Sequence, residues 1–293
     1  MVLAPRAHGS GMLPKRRYKK RQRAMRSLVP CALAIAGLDP SGGAGLFADL
    51  RAFRAASVWG CGAVAVLTVQ STAGLRASEP VPTAQVLAQV RELFSHENVK
   101  AIKIGALGSL ANVRGVTRWL SSLHGKIPVV MDPVVRASRG TRRASLLESA
   151  GVAALIPMVK LATVVTPNAV EAETLLGRRV RSLADAERAA RDLVDLGARA
   201  ALVKGGHLRD ARKGEITDVL AVGGRIIHLR APRRSAAPHG TGCMLASLIA
   251  GKLAAAERAD EDAIIASIRW AKGALKKRLV HPWRIGAGQL VMA

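Results

Sequence analysis

Apolar and polar positions alternate between two periods along the chain after residue 30. The segments 31–37 (CALAIAG), 62–70 (GAVAVLTVQ), 99–107 (VKAIKIGAL), 127–135 (IPVVMDPVV) and 161–168 (LATVVTPN) are short and almost continuously apolar. That is the signature of strands covered on both faces. Between them the spacing becomes helical. Residues 46–56 read as a helix, as do 83–94, where Val86, Val90 and Leu93 share one face and Pro82 stands near the start. The clearest local unit begins at Ser182. Ser182 and Asp185 have capping-box spacing, Leu183, Ala186, Leu193 and Leu196 keep the helical period, and Gly197 ends it. The strand RAALVKGG (199–206) follows at once, and residues 244–256 form an alanine-rich helix interrupted only by Gly251. Repeated strand–helix–strand order predicts an α/β fold, a mostly parallel sheet with helices on both faces. No linker or internal repeat divides residues 30–293, which are expected to form a single domain.

Composition adds two constraints. Of 293 residues 49% are hydrophobic but only 3% aromatic, so the core has to be built from Ala, Val, Leu and Ile. The three cysteines, Cys31, Cys61 and Cys243, form no C-x-x-C pair, which argues against a disulfide framework or a zinc site and suits a reducing cytoplasm. The net charge of +25 is concentrated at the start. Residues 1–26 hold nine basic residues (Arg6, Lys15, Arg16, Arg17, Lys19, Lys20, Arg21, Arg23 and Arg26) and no acidic one. Residues 1–29 are therefore expected to be a disordered arm. Only Tyr18 among them offers a stacking ring, so the arm reads as solvated tail, or as an extension upstream of a start at Met25, rather than as a nucleic-acid ligand. No apolar run is long enough to span a bilayer, so a membrane is not an expected partner.

Ligands of open parallel sheets bind beyond the carboxyl ends of the strands, and the polar residues gather there. Asp39 and Ser41 follow the first strand and Gln70 ends the second. Lys103 lies inside its strand, Asp132 ends another, Asn168 and Glu171 follow the next, and Lys204 precedes a Gly-Gly-His turn. Gly43-Ala44-Gly45 followed by Ala48 matches a dinucleotide-binding turn formally. The second strand, however, ends in Gln70 instead of the acidic residue that would hold a ribose, and the next acidic residue after Asp49 is Glu79. A P-loop signature is absent. The stretch HGTGC (239–243) instead puts Gly240 and Gly242 at a helix mouth, where unpaired N–H groups can collect an anion. A thiol there is expected to have a lowered pKa, or to be an inert buried cysteine. His207 and His239 have no third ligand and are expected in turn or supporting roles. Asp132 and Glu171 could hold Mg²⁺ through water.

Taken in order, AIAGLDPSGGAGLFADLRAF, LTVQSTAG, IKIGALGS, VVMDPVV, TPNAVEAETLLG, LVKGGHL and HGTGC, spread over residues 31–255, resemble the hydroxymethylpyrimidine/phosphomethylpyrimidine kinase family of thiamine biosynthesis, within the ribokinase-like superfamily. The resemblance implies a three-layer α/β/α sandwich without a separate lid domain, commonly a homodimer. It implies transfer of the γ-phosphate of ATP to 4-amino-5-hydroxymethyl-2-methylpyrimidine and then to its monophosphate. Carried over by motif, Gln70, Asp49, Gly37 and Val134 would contact the pyrimidine. Asp132, Glu171, Asn168, Lys204, Gly240 and Thr241 would serve ATP and Mg²⁺, the metal being held by Asp132 and Glu171. Cys243, Gly242 and Lys204 would carry catalysis, with Cys243 where most ribokinase-like kinases have an aspartate base. Cys31 and Cys61 match no motif and are expected in the core. One segment departs from the family pattern. After the DPV strand this chain has RASRGTRRASLL, with Ser138 at the usual lysine position, Thr141 at the usual aspartate, and Arg136, Arg139, Arg142 and Arg143 alongside. The alternatives are a pyridoxal kinase on the same fold, which would prefer pyridoxal, or a non-catalytic pyrimidine-binding regulator, which would not need Cys243, Lys204, Asp132 and Glu171.

Overall fold

In the computed structural model, residues 28–123, 125–135, 146–147, 149–208, 214–234 and 238–292 are described. The basic arm, apart from residues 28 and 29, and the arginine-rich segment with Ser138 and Thr141 lie outside them. The strands are β1 (Cys31–Leu38), β2 (Trp59–Ser71), β3 (Gly74–Pro80), β4 (Val99–Ile104), β5 (Val129–Met131), β6 (Val164–Val165), β7 (Ala200–Val203), β8 (Glu215–Val222) and β9 (Arg225–Pro232). The helices are α1 (Gly45–Ala55), α2 (Thr83–His96), α3 (Leu110–Ser122), α4 (Ser149–Ala153), α5 (Ile156–Val159), α6 (Ala169–Leu176), α7 (Leu183–Asp195), α8 (Thr241–Ala254) and α9 (Glu261–Arg278). No described helix is long and apolar enough to cross a membrane.

The strands form one sheet in the order β3-β2-β1-β4-β5-β6-β7-β8-β9. From β2 to β7 every pairing is parallel, and antiparallel β3 on one edge and β8–β9 on the other extend it. Two separate buried clusters show that both faces are covered. One cluster includes Val86 and Val90 of α2, Val113 and Val116 of α3, and Ala186 and Leu193 of α7. The other is formed by α1, α8 and α9 with the opposite strand faces. This is the expected three-layer sandwich. Helix α8 is buried along nearly its whole length, which explains why its sequence lacks a polar stripe.

Local signals place the elements well. Ser182 accepts from Asp185 N–H at 3.0 Å and Asp185 accepts from Ser182 N–H at 3.0 Å, the reciprocal cap expected for α7. Gly197 then takes φ +118°, a value that suits glycine. The central strands are shorter than their apolar runs predict. Residues 161–168 contribute only Val164–Val165 to the sheet, and 127–135 only Val129–Met131. The residues that follow each strand, 132–135 and 166–168, are loop at the ligand edge. Cys31 and Cys61 sit in the core as expected, and burial pushes the Cys61 thiol up to about 12.

Candidate active site

A cavity of about 400 Å³ opens at the carboxyl ends of the parallel strands. Its wall contains Gly37, Gln70, Asp132, Val134, Asn168, Glu171, Lys204, Gly240, Thr241, Gly242 and Cys243, all expected there. The pairing of β1 with β2 shifts register between Ala36 and Gly37, and that of β2 with β3 between Val69 and Gln70. Such irregularities turn a side chain out of the pleat next to a site. They lie beside Gly37 and Gln70, two of the four residues expected to meet the pyrimidine.

The anion end of the cavity is built by α8. Gly240 caps the helix with φ +78°, and a Cβ there would lie 2.0 Å from the Gly43 carbonyl oxygen, so only glycine fits. The first helical bond is Met244 N–H to Gly240 O, which leaves the N–H groups of residues 241–243 ahead of the ladder. A Cβ built on Gly242 would lie 3.2 Å from Lys204 Nζ and 3.8 Å from Asp132 Oδ2. The helix mouth and the charged residues therefore converge on one point.

Lys204 Nζ donates to Asp132 Oδ1 at 3.0 Å and stands 3.6 Å from Glu171 Oε2. Glu171 is held by a capping box at the start of α6. Its Oε2 accepts from Asn168 N–H at 2.7 Å, while Asn168 Oδ1 accepts from Glu171 N–H at 2.9 Å. Burial opposes the Lys204 charge, but Asp132 and Glu171 outweigh it and hold the ammonium above the usual lysine range. Burial, together with Asp132, pushes the Glu171 carboxyl up against the pull of Lys204. Two carboxylates thus share one cation. That excess of negative charge fits a divalent ion held through water, and no group of three or more metal-binding side chains occurs among the described residues.

The turn that aims Lys204 is fixed from below. Asp218 accepts the Gly205 N–H at 2.8 Å and pairs with Lys272. A Cβ on Gly205 would approach Thr217 O to 1.8 Å. Gly205→Ala should therefore displace the turn, lowering turnover at least tenfold and the melting temperature by several degrees (kinetics and calorimetry).

Two expectations are corrected. Asp49 is not part of the cavity wall. It is completely buried, its carboxylate accepting from Lys103 Nζ at 3.0 and 2.9 Å and from Ser247 Oγ at 2.6 Å, so no oxygen is left facing a ligand. Lys103, itself fully buried, reaches the cavity in its place. The second correction concerns Cys243. The half-buried thiol sits at the helix mouth and accepts from Gly45 N–H, yet burial pushes it up to about 12 against the opposing effect of Lys103. The protein holds a thiol there, not a ready thiolate.

His239 lies in the cavity wall, with Nε2 2.8 Å from Asp39 Oδ2 and 3.0 Å from the terminal amide of Gln70. Gln289 had no sequence signal at all. The C-terminal segment brings it to the cavity by pairing Gln289 N–H with Thr72 O at 2.8 Å and His239 N–H with Leu290 O at 2.7 Å. Such a contact between segments far apart in sequence leaves no local pattern.

The sequence profile of the family described as phosphomethylpyrimidine kinase matches residues 39–292. The chain belongs to that family. It is accordingly a kinase, a phosphotransferase. It is 40% identical over 230 residues to a hydroxymethylpyrimidine/phosphomethylpyrimidine kinase of Rhizobium meliloti, covering 78% of this chain and 84% of that one. A crystal structure of phosphomethylpyrimidine kinase from Clostridium difficile superposes with a TM-score of 0.72 at 28% identity, covering 85% of this chain and 99% of the other. The pyridoxal kinase of Staphylococcus aureus in complex with AMP-PCP and pyridoxal gives 0.77 at 25% identity, with 91% and 94% covered. The ribokinase-like expectation of the sequence is met.

Proposed function

We propose that this kinase transfers the γ-phosphate of ATP to the hydroxymethyl group of 4-amino-5-hydroxymethyl-2-methylpyrimidine, and then phosphorylates the monophosphate to the diphosphate. The observation that carries the reading is the convergence in one cavity of the α8 mouth, the Lys204–Asp132–Glu171 cluster, Cys243 and Gln70. Phosphoryl transfer needs charge neutralisation and positioning more than covalent help from the protein. The N–H groups at the start of α8 and the Lys204 ammonium meet the transferring phosphoryl oxygens. Asp132 and Glu171 would hold Mg²⁺ through water, and the ion when bound would neutralise phosphate charge. Cys243 lies beside that point, and its thiolate form, a minor species at neutral pH, would take the proton of the attacking hydroxyl. Gln70, with both a donor and an acceptor, pairs with the pyrimidine edge, and Gly37 and Val134 line its faces. The nucleotide-analogue complex of the S. aureus relative supports ATP as the donor.

An ADP-release assay with hydroxymethylpyrimidine and with pyridoxal, with mass analysis of products, tests this. Faster turnover of pyridoxal would overturn the substrate assignment. Gln70→Leu should raise KM for the pyrimidine about tenfold or more, leaving ATP affinity near normal, because a buried polar group of the ligand loses its partner at roughly 1–3 kcal/mol. A homodimer in the cytoplasm is part of the same proposal. The exposed Trp59, Leu67 and Val69 of β2 support an apolar interface, which sedimentation would detect as twice the chain mass.

A further inference from the structure

The contacts of His239 constrain which way the Gln70 amide faces. The imidazole is buried and lines the cavity. Its Nε2 is 2.8 Å from Asp39 Oδ2, whereas Nδ1 is buried without a hydrogen-bond partner. Asp39 is a carboxylate saturated with donors. Oδ1 accepts Ser41 N–H at 2.9 Å and Ser41 Oγ–H at 2.8 Å, and Oδ2 accepts Ala44 N–H at 2.9 Å. Burial opposes its ionisation, but His239 and Ser41 more than offset this and hold its pKa below the usual carboxylate value. An acceptor of this kind requires a proton on Nε2. The other neutral tautomer would set a lone pair against the carboxylate and strand an N–H at Nδ1, two penalties at once.

Gln70's terminal amide atom lies 3.0 Å from that same Nε2. A nitrogen there would put donor against donor. Amide oxygen and nitrogen are interchangeable in position, so the hydrogen-bond network decides between them. We infer that Asp39 and His239 act as a positioning pair that pins the Gln70 amide, its oxygen toward the imidazole and its NH2 toward the cavity. The Nε2–H is then shared between Asp39 and the Gln70 oxygen, whose second lone pair stays open to a ligand. The pinned amide reads a ring-nitrogen acceptor beside an exocyclic amino donor. It rejects the reverse order, which the 4-oxo counterpart of the substrate presents (ring N–H beside a carbonyl). An amide free to flip would accept either.

This rests on the substrate reading above, and two measurements separate them. Nitrogen-15 NMR of the full chain, with the His239 signals assigned by comparison with His239→Gln, should show the Nε2–H tautomer. An Nδ1–H tautomer overturns the inference whatever the substrate is. Wild-type kcat/KM should favour the 4-amino over the 4-oxo substrate on the order of 100-fold or more, because both contacts mismatch. His239→Leu should raise KM for the 4-amino compound and shrink that ratio to within about tenfold. A merely structural role would slow both substrates alike and keep the ratio, and that result also overturns the inference. An Nε2–H tautomer in a protein that phosphorylates neither pyrimidine supports the pinning and overturns the substrate assignment instead.

Discussion

Lys103→Met is expected to lower the melting temperature on the order of 10 °C. Both members of the Lys103–Asp49 pair are completely buried, and the ammonium makes two bonds to one carboxylate, at 3.0 and 2.9 Å. Neither side chain has exposed surface, so each charge depends chiefly on the other for compensation, with Ser247 Oγ–H adding one bond to the carboxylate. Burial pushes the Asp49 carboxyl up even with the lysine present, and Lys103 is the largest influence opposing it. Removing one partner of a buried pair leaves the other uncompensated and costs about 3–5 kcal/mol, whereas removing both charges is often nearly neutral. Lys103→Met combined with Asp49→Asn should therefore melt well above Lys103→Met alone, since an amide oxygen still accepts from Ser247 without carrying charge. Calorimetry on the single and double variants checks this. A single variant that melts like the wild type would mean that water or another cation reaches Asp49.

The same pair shows what the sequence can and cannot tell. Asp49 lies in a motif-like stretch, FADLRAF, and a carboxylate near a glycine turn invites a ligand-binding reading. Its fate depends on Lys103 and Ser247, 54 and 198 positions away, and neither distance has a sequence signature. Lys103 was visible only as a charge inside an apolar strand. By contrast, the α7 cap, the Gly197 terminator and the alternation of apolar segments rest on contacts within a few residues, so they can be read directly. The strand-end residues Gln70, Asp132, Glu171 and Lys204 were legible because parallel topology sends strand ends to one edge. Gln289 was not, because its place depends on the chain end crossing back to Thr72. Which of the two expectations for the Cys243 thiol holds is settled by burial for a related reason. The helix mouth predicts a lowered pKa, but the extent of burial around the sulfur is a tertiary quantity, and it wins.

That result sharpens what Cys243→Ser should do. Serine is close in volume, so folding should be little affected, but kcat should fall by about 10²–10⁴, the usual contribution of a positioned general base. Burial pushes the wild-type thiol up to about 12, well above neutrality, so only a very small fraction of molecules carries the thiolate at pH 7. Below the pKa that fraction grows tenfold with each unit of pH. Where chemistry limits turnover, wild-type kcat should climb from pH 7 through pH 9 without a plateau, and the climb should be absent in Cys243→Ser. Alkylation by iodoacetamide should follow the same slope, slow at pH 7 and faster as pH rises, with hydroxymethylpyrimidine protecting the thiol. Cys31 and Cys61, enclosed in the core, should lag behind it at every pH. Lys103 is the cation that most lowers the Cys243 pKa, so Lys103→Met should reduce the alkylation rate at fixed pH if the fold is kept below its melting point. A serine variant with near-wild-type kcat and the same pH profile would reduce Cys243 to a turn residue. Transfer would then rest on the α8 mouth and Lys204, and the hydroxyl would lose its proton to the phosphoryl oxygens as the bond forms.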